Sequence, residues 1–161
     1  MSSIKYRFLF IAILIFSVLS LSIAYFIEHI LGHQPCNLCL VERIPYFVAA
    51  IFASLLFILK KYEKIILIII GFVFIFSTVI SFYHFGIEQG FINESLVCSL
   101  GNDNGATSTE ELLKQLEKIT ISCKNVTFTF LGLSLATFNT IISLVISVIM
   151  FKTAINYDKN K

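Results

Sequence analysis

The sequence predicts an all-α membrane protein: a four-transmembrane-helix bundle with two extracytoplasmic loops, the second carrying a short amphipathic helix. Three observations predict it. Hydrophobic residues make up 57% of the chain and charged residues 14%, against about 25% charged in an ordinary soluble domain. Four long stretches carry no charge at all, and a bilayer core of ~30 Å asks for ~20 helical residues per span. Lys and Arg gather at one set of stretch ends, as spans with a fixed orientation require. The net charge of +2 is too small to suggest nucleic acid, so the lipid bilayer is the expected surroundings of one membrane domain over residues 1–161.

The first stretch, "FLFIAILIFSVLSLSIAYFI", predicts a helix over 8–27. Its apolar core exceeds the ~7–15 residues of a signal peptide and no clear A-x-A site follows, so it is expected to be retained. An outer loop over 28–40 contains Cys36 and Cys39. The second helix, over 41–59, rests on a shorter run, "IPYFVAAIFASLLFIL". Val41 to Arg43 extend it, Lys60 and Lys61 snorkel at its far end, and Pro45 is tolerated in its first turn. After the turn "KKYEK" a third helix is expected over 64–84.

The second outer loop, 85–125, is long for a compact protein and therefore expected to be functional. Within it "GNDNG" is turn-rich. Ser108 and Glu111 form a capping box, and Leu112, Leu113, Leu116 and Ile119 recur at helical spacing. This short helix is expected on the membrane surface or against the bundle mouth. The fourth helix is placed over 126–151.

Orientation follows from the basic residues. Lys5, Arg7, Lys60, Lys61, Lys64, Lys152, Lys159 and Lys161 fall on one side, and Arg43, Lys114, Lys118 and Lys124 on the other. Both termini are therefore expected in the cytoplasm. All four cysteines then face outward, the oxidising side where disulfides persist.

Four cysteines allow three disulfide connectivities. Cys36-x-x-Cys39 has metal-ligand spacing, but Cys98 and Cys123 lack a second knuckle, so no metal site is expected. A C-x-x-C pair favours redox work, because its thiols close on each other and one pKa falls. Cys39 is expected just before the second helix, at the positive end of its dipole. Arg43 follows by four residues, can share its face, and favours a thiolate. The plainer role for Arg43 is an interfacial anchor paired with Glu42. A thiolate at the membrane surface can hand electrons to a lipid-soluble acceptor, and a quinone is the natural one. The competing class is a membrane scaffold or metal-binding protein with inert disulfides, which thiol turnover would exclude.

Three segments carry a resemblance. "PCNLCLVERIPY" resembles the C-x-L-C-x-x-x-R segment of the disulfide bond formation protein B (DsbB) family. "YHFGIE" is similar to its Y-H-x-G-x-E segment at the end of the third helix. "FLGLSLATFN" is similar to its G-L-S-x-A-x-x-N segment at the fourth. Their order agrees over nearly the whole chain. The resemblance implies a thiol:quinone oxidoreductase of the bacterial inner membrane. It would reoxidise a DsbA-like periplasmic thiol oxidase and pass two electrons to ubiquinone or menaquinone. Carried over residue by residue, Cys98 and Cys123 form the disulfide that meets the partner, and Cys36 and Cys39 the one that serves the quinone, with Cys39 facing it. Arg43 would orient the quinone. His84, Phe128 and Phe138 match the family's quinone region; the two Phe stand where some members carry Trp, which this chain lacks. Asn139, polar in an apolar helix, is expected to bond another helix. Cys98 neighbours the flexible "GNDNG", so an exposed Cys98 is expected to be the sulfur the partner attacks.

Overall fold

The computed structural model describes residues 2–56, 60–93, 98, 123, 129–130 and 132–157. In chain order these form α1 (Ser2–His29), α2 (Asn37–Val41), α3 (Ile44–Leu55), a 3-10 turn (Lys60–Tyr62) and α4 (Glu63–Glu88). A two-strand ladder, β1 (Thr129–Phe130) with β2 (Leu133–Ser134), leads into α5 (Leu135–Asn156). Four segments are long and apolar enough to cross a membrane: Tyr6–His29, Asn37–Leu55, Glu63–Glu88 and Leu135–Asn156. The outer surface is apolar to match, with Phe8 73%, Phe72 60% and Ile155 70% exposed. Such a surface would be a liability in water and is the natural solvent contact in lipid. The segment holding Ser108, Glu111, Leu112, Leu113, Leu116 and Ile119 lies outside the described residues, as does Phe128.

Two of the spans differ from the apolar runs. The second is not one helix over 41–59. It breaks at Glu42 and Arg43 between α2 and α3. Pro45 has no N–H to give the Val41 carbonyl, so the ladder cannot run through. The Arg43 N–H turns instead to the Leu40 carbonyl at 3.2 Å, and the Arg43 carbonyl takes the Tyr46 and Phe47 N–H groups. The fourth span begins at Leu135 rather than 126. Thr129 pairs with Ser134 and Phe130 with Leu133, around a turn with Gly132 at φ 79°, a value glycine adopts freely. Ser134 then caps α5, its Oγ accepting the Thr137 N–H at 3.3 Å. The first and third spans run longer than 8–27 and 64–84. Beyond α4 the chain reverses at Gly90 (φ 75°), and Phe91 N–H bonds the Gly86 carbonyl at 2.9 Å, a glycine-terminated helix end.

The helices pack α4 along α5, α1 on α3, and α3 on α4. Small residues make the closest approach: Gly71, Ser77 and Ser81 on α4, Ser143 and Ser147 on α5, all buried. Lipid tails offer no hydrophobic drive, so close backbone contact and interhelical bonds must hold the pair. Ser77 and Ser143 bond at 3.0 Å, and a Cβ on Gly71 would sit 3.0 Å from the Phe151 ring. Leu67, Ile70, Phe74 and Met150 fill the centre with no exposure. At the end that carries the termini, α1 meets the end of α5 through the Tyr6 and Tyr157 rings, 5.0 Å apart. At the other end, α1 and α5 face each other across a cavity.

Candidate functional site

The break between α2 and α3 decides where the charged pair goes. Glu42, expected beside Arg43 as its counter-ion, turns into the bundle and is 8% exposed. Its Oε1 accepts the His84 Nδ1–H at 2.7 Å, and its Oε2 accepts Asn139 Nδ2 at 2.8 Å. Asn139 extends the network: Nδ2 also donates to Ser81 Oγ at 2.6 Å, while Oδ1 accepts the Tyr46 hydroxyl at 2.5 Å and the Ser143 hydroxyl at 3.1 Å. Asn139 thus ties α5 to α3 and α4, the helix-bonding role expected of it. A buried carboxylate is costly unless every lone pair is engaged, and this arrangement engages both Glu42 oxygens.

Arg43 points the other way, toward α1. It pairs with Glu28 at 2.5 Å and lies over the Tyr25 ring, 5.0 Å from its centroid. Its side chain is 13% exposed. The planar guanidinium suits both contacts.

The cysteines are joined as Cys36–Cys39 and Cys98–Cys123, one of the three connectivities and the one the resemblance implies. Cys36, not Cys39, stands at a helix N-terminus. It caps α2, and its Sγ accepts the Cys39 N–H at 3.2 Å. The helical turn starts earlier than expected because Cys36 ends an extended segment after Pro35 and closes the first turn itself. Both disulfides belong to one buried cluster with Leu38 and Ile87. Cys98 is 3% and Cys123 2% exposed, so the greater exposure expected of Cys98 is absent. Both residues are buried alike within that cluster.

His84 links the cysteines to the acidic groups. Its Nε2 lies 3.6 Å from Cys36 Sγ and 3.8 Å from Glu88 Oε1. The Glu88 side chain is 6% exposed. Its Oε2 has no hydrogen-bond partner. Gly86, between these residues, leaves room for Ile92, whose Cδ1 would lie 2.6 Å from an added Cβ.

These groups surround the cavity, about 370 Å³ in volume. Phe16, Leu21, Ile23 and Ile27 of α1 and Leu135, Phe138 and Ile142 of α5 form its apolar walls. Cys36, Cys39, Glu42, Arg43, His84 and Glu88 form its polar end. Of the residues singled out by sequence, Cys36, Cys39, Arg43, His84 and Phe138 therefore meet at one site; Cys98 and Cys123 adjoin it through the shared cluster. Glu42 and Glu88 were not singled out. The readable signal was their position, ionisable residues within or at the end of an apolar span.

A pair of buried disulfides at the mouth of a four-helix membrane bundle, one of them in a cavity wall, defines a class: integral membrane proteins of thiol–disulfide exchange. A family model described as "Disulfide bond formation protein DsbB" matches residues 6–153, and the chain belongs to that family. Membership implies an oxidoreductase role in disulfide formation. "Uncharacterized protein RP370" of Rickettsia prowazekii (strain Madrid E) is similar, 29% identical over 143 residues, covering 87% of this chain and 83% of that protein. No solved structure matches the chain.

Proposed function

We propose that the protein is a thiol:quinone oxidoreductase of the bacterial inner membrane, with both termini in the cytoplasm. It reoxidises a periplasmic thioredoxin-fold dithiol oxidase of the DsbA kind and delivers two electrons to a membrane quinone. The observation that carries this reading is the cavity wall: Cys36 and Cys39 line a chamber built between membrane-spanning helices.

The chamber suits a quinone. Its volume is in the small-molecule range, its walls are apolar, and Arg43, His84 and Phe138 are among the residues that line it. A quinone bound there would supply a sink for two electrons and two protons. The sink is needed on energetic grounds. A DsbA-like partner sits at about −120 mV and an ordinary structural disulfide below about −300 mV. At ~1.4 kcal/mol per ~30 mV, the uphill gap exceeds ~8 kcal/mol.

The protein's own part is a two-step exchange. A partner thiolate attacks the Cys98–Cys123 disulfide; the partner leaves oxidised and this pair becomes a dithiol. One thiolate of that dithiol attacks Cys36 and frees Cys39; the other resolves the mixed disulfide, restoring Cys98–Cys123 and leaving Cys36 and Cys39 as a dithiol in the cavity wall. Arg43 lines the same cavity as Cys39, where a cation favours a thiolate; the Cys39 N–H bonds Cys36 Sγ, the sulfur under attack.

The test is anaerobic mixing of the purified protein with a reduced thioredoxin-fold oxidase and a quinone, following quinone absorbance. One quinone is expected to be reduced for each partner oxidised. Partner oxidation with no change in the quinone would refute the proposal.

A further inference from the structure

The His84 geometry points beyond electron transfer. His84 donates through Nδ1 to Glu42, which leaves the Nε2 lone pair directed at the cysteines. A carboxylate holding one ring nitrogen while the other faces thiols is the arrangement found behind metal-bound histidines. Cys36 Sγ, Cys39 Sγ and a His84 ring nitrogen all lie within 4.8 Å of one another.

The spacing agrees with a tetrahedral ion. With Zn–S ~2.3 Å and Zn–N ~2.0–2.1 Å, the sulfur-to-nitrogen edge of the tetrahedron is ~3.6 Å; Cys36 Sγ to His84 Nε2 is 3.6 Å. Glu88 falls outside this three-donor set, so water from the cavity would take the fourth position. The Cys39 N–H bonded to Cys36 Sγ would also support a thiolate at that sulfur. Exposed His33 and Gln34 border the cavity and give an ion a route in from water.

We propose that the dithiol form of this pair binds a zinc-class divalent cation through Cys36, Cys39 and His84, with water in the fourth position, and that the bound ion halts electron transfer from the pair. No electron moves in the binding step. A dithiol reductant, or the partner, first opens the Cys36–Cys39 disulfide; the two thiols then lose their protons to water and bond the metal as thiolates. Sequence spacing argued against zinc because the second cysteine pair is no knuckle. The third ligand comes instead from α4. Only the arrest of electron transfer rests on the proposed quinone chemistry; the site itself does not.

The test uses the full chain in detergent, with Cys98→Ala and Cys123→Ala so that one pair remains, reduced anaerobically with a phosphine. Titrated cobalt(II) should give thiolate-to-metal charge-transfer and tetrahedral d–d absorption, saturating at one ion per chain and bleached by zinc(II). The oxidised protein should give neither. Glu42→Gln should weaken binding about 10–100-fold by loosening the imidazole, and His84→Ala at least as much. Fully reduced protein without these bands, or wild-type affinity in His84→Ala, overturns the site. In the wild-type chain, which avoids any folding defect, zinc should slow alkylation of Cys36 and Cys39, mapped by mass spectrometry; unchanged rates overturn it equally. Zinc that binds without stopping quinone reduction overturns the arrest. Metal binding in a protein that never reduces quinone supports the site and refutes the electron-transfer reading.

Discussion

Asn139 is the joint at which the polar interior can be tested. Asn139→Leu keeps the branched side-chain skeleton and removes every polar atom. The Tyr46, Ser81 and Ser143 hydroxyls each lose a neutral contact, worth ~0.6 kcal/mol apiece between membrane helices. Glu42 Oε2 loses its donor, and a bond to a charged group is worth ~1.5–3 kcal/mol. Together the variant should lose ~3–5 kcal/mol. The measurement is unfolding in mixed micelles of increasing SDS fraction, followed by circular dichroism. Tyr46→Phe supplies the internal control: it should cost a fraction of that in the wild type and almost nothing in Asn139→Leu, since contacting residues couple. A loss below ~1 kcal/mol for Asn139→Leu, or additive effects of the two substitutions, would refute the idea that this network holds α3, α4 and α5 together.

Three further outcomes are expected. Impermeant thiol reagents applied to intact cells after reduction should label all four cysteines, and a cysteine reached only after the inner membrane is opened would invert the topology. Arg43→Lys, which keeps the charge and loses the planar stack on Tyr25, should raise the apparent quinone KM roughly tenfold, ~1.4 kcal/mol, with expression unchanged; wild-type quinone kinetics in Arg43→Met would remove Arg43 from the site. Cys36→Ala or Cys39→Ala should abolish quinone reduction while a single exchange with the partner at Cys98–Cys123 survives in rapid-quench assays; loss of both steps in folded protein would show that the two pairs do not act in series.

The spans were legible because an apolar run of bilayer length has few alternatives. Their ends were less so. The ladder at Thr129–Ser134 is hidden inside a continuous apolar run, where hydropathy cannot tell strand from helix; Gly132 and the Ser134 cap were the local signals against a helix from 126. Pro45 was read as tolerated in a first turn, which it is, but not as the cause of a break before it. Glu42 and Arg43 both keep right-handed backbone at that break, and successive residues of a helical turn point about 100° apart, so adjacency in sequence did not make them partners. Arg43 was found from its spacing to Cys39 and His84 through motif resemblance. The burial of Glu42 and Glu88 needed the third dimension, since the Glu42 oxygens find their partners on α4 and α5 and Glu88 Oε2 has none. Cys98 was judged by its neighbours in sequence, whereas its neighbours in space, Leu38 and Ile87, set its exposure.

The cavity between α1 and α5 bears on how concentration should be counted. Its walls include Ile23, 58% exposed, and Leu135, 44% exposed, so the chamber reaches the lipid-facing surface sideways. A hydrophobic ligand using that door never crosses water. What it samples is its mole fraction among the surrounding amphiphiles, not its molarity in the tube. Doubling the detergent at fixed ligand therefore halves the dose the protein experiences, and an affinity measured in micelles becomes a property of the preparation. Constants for this protein are comparable between laboratories only when expressed per mole of lipid or detergent.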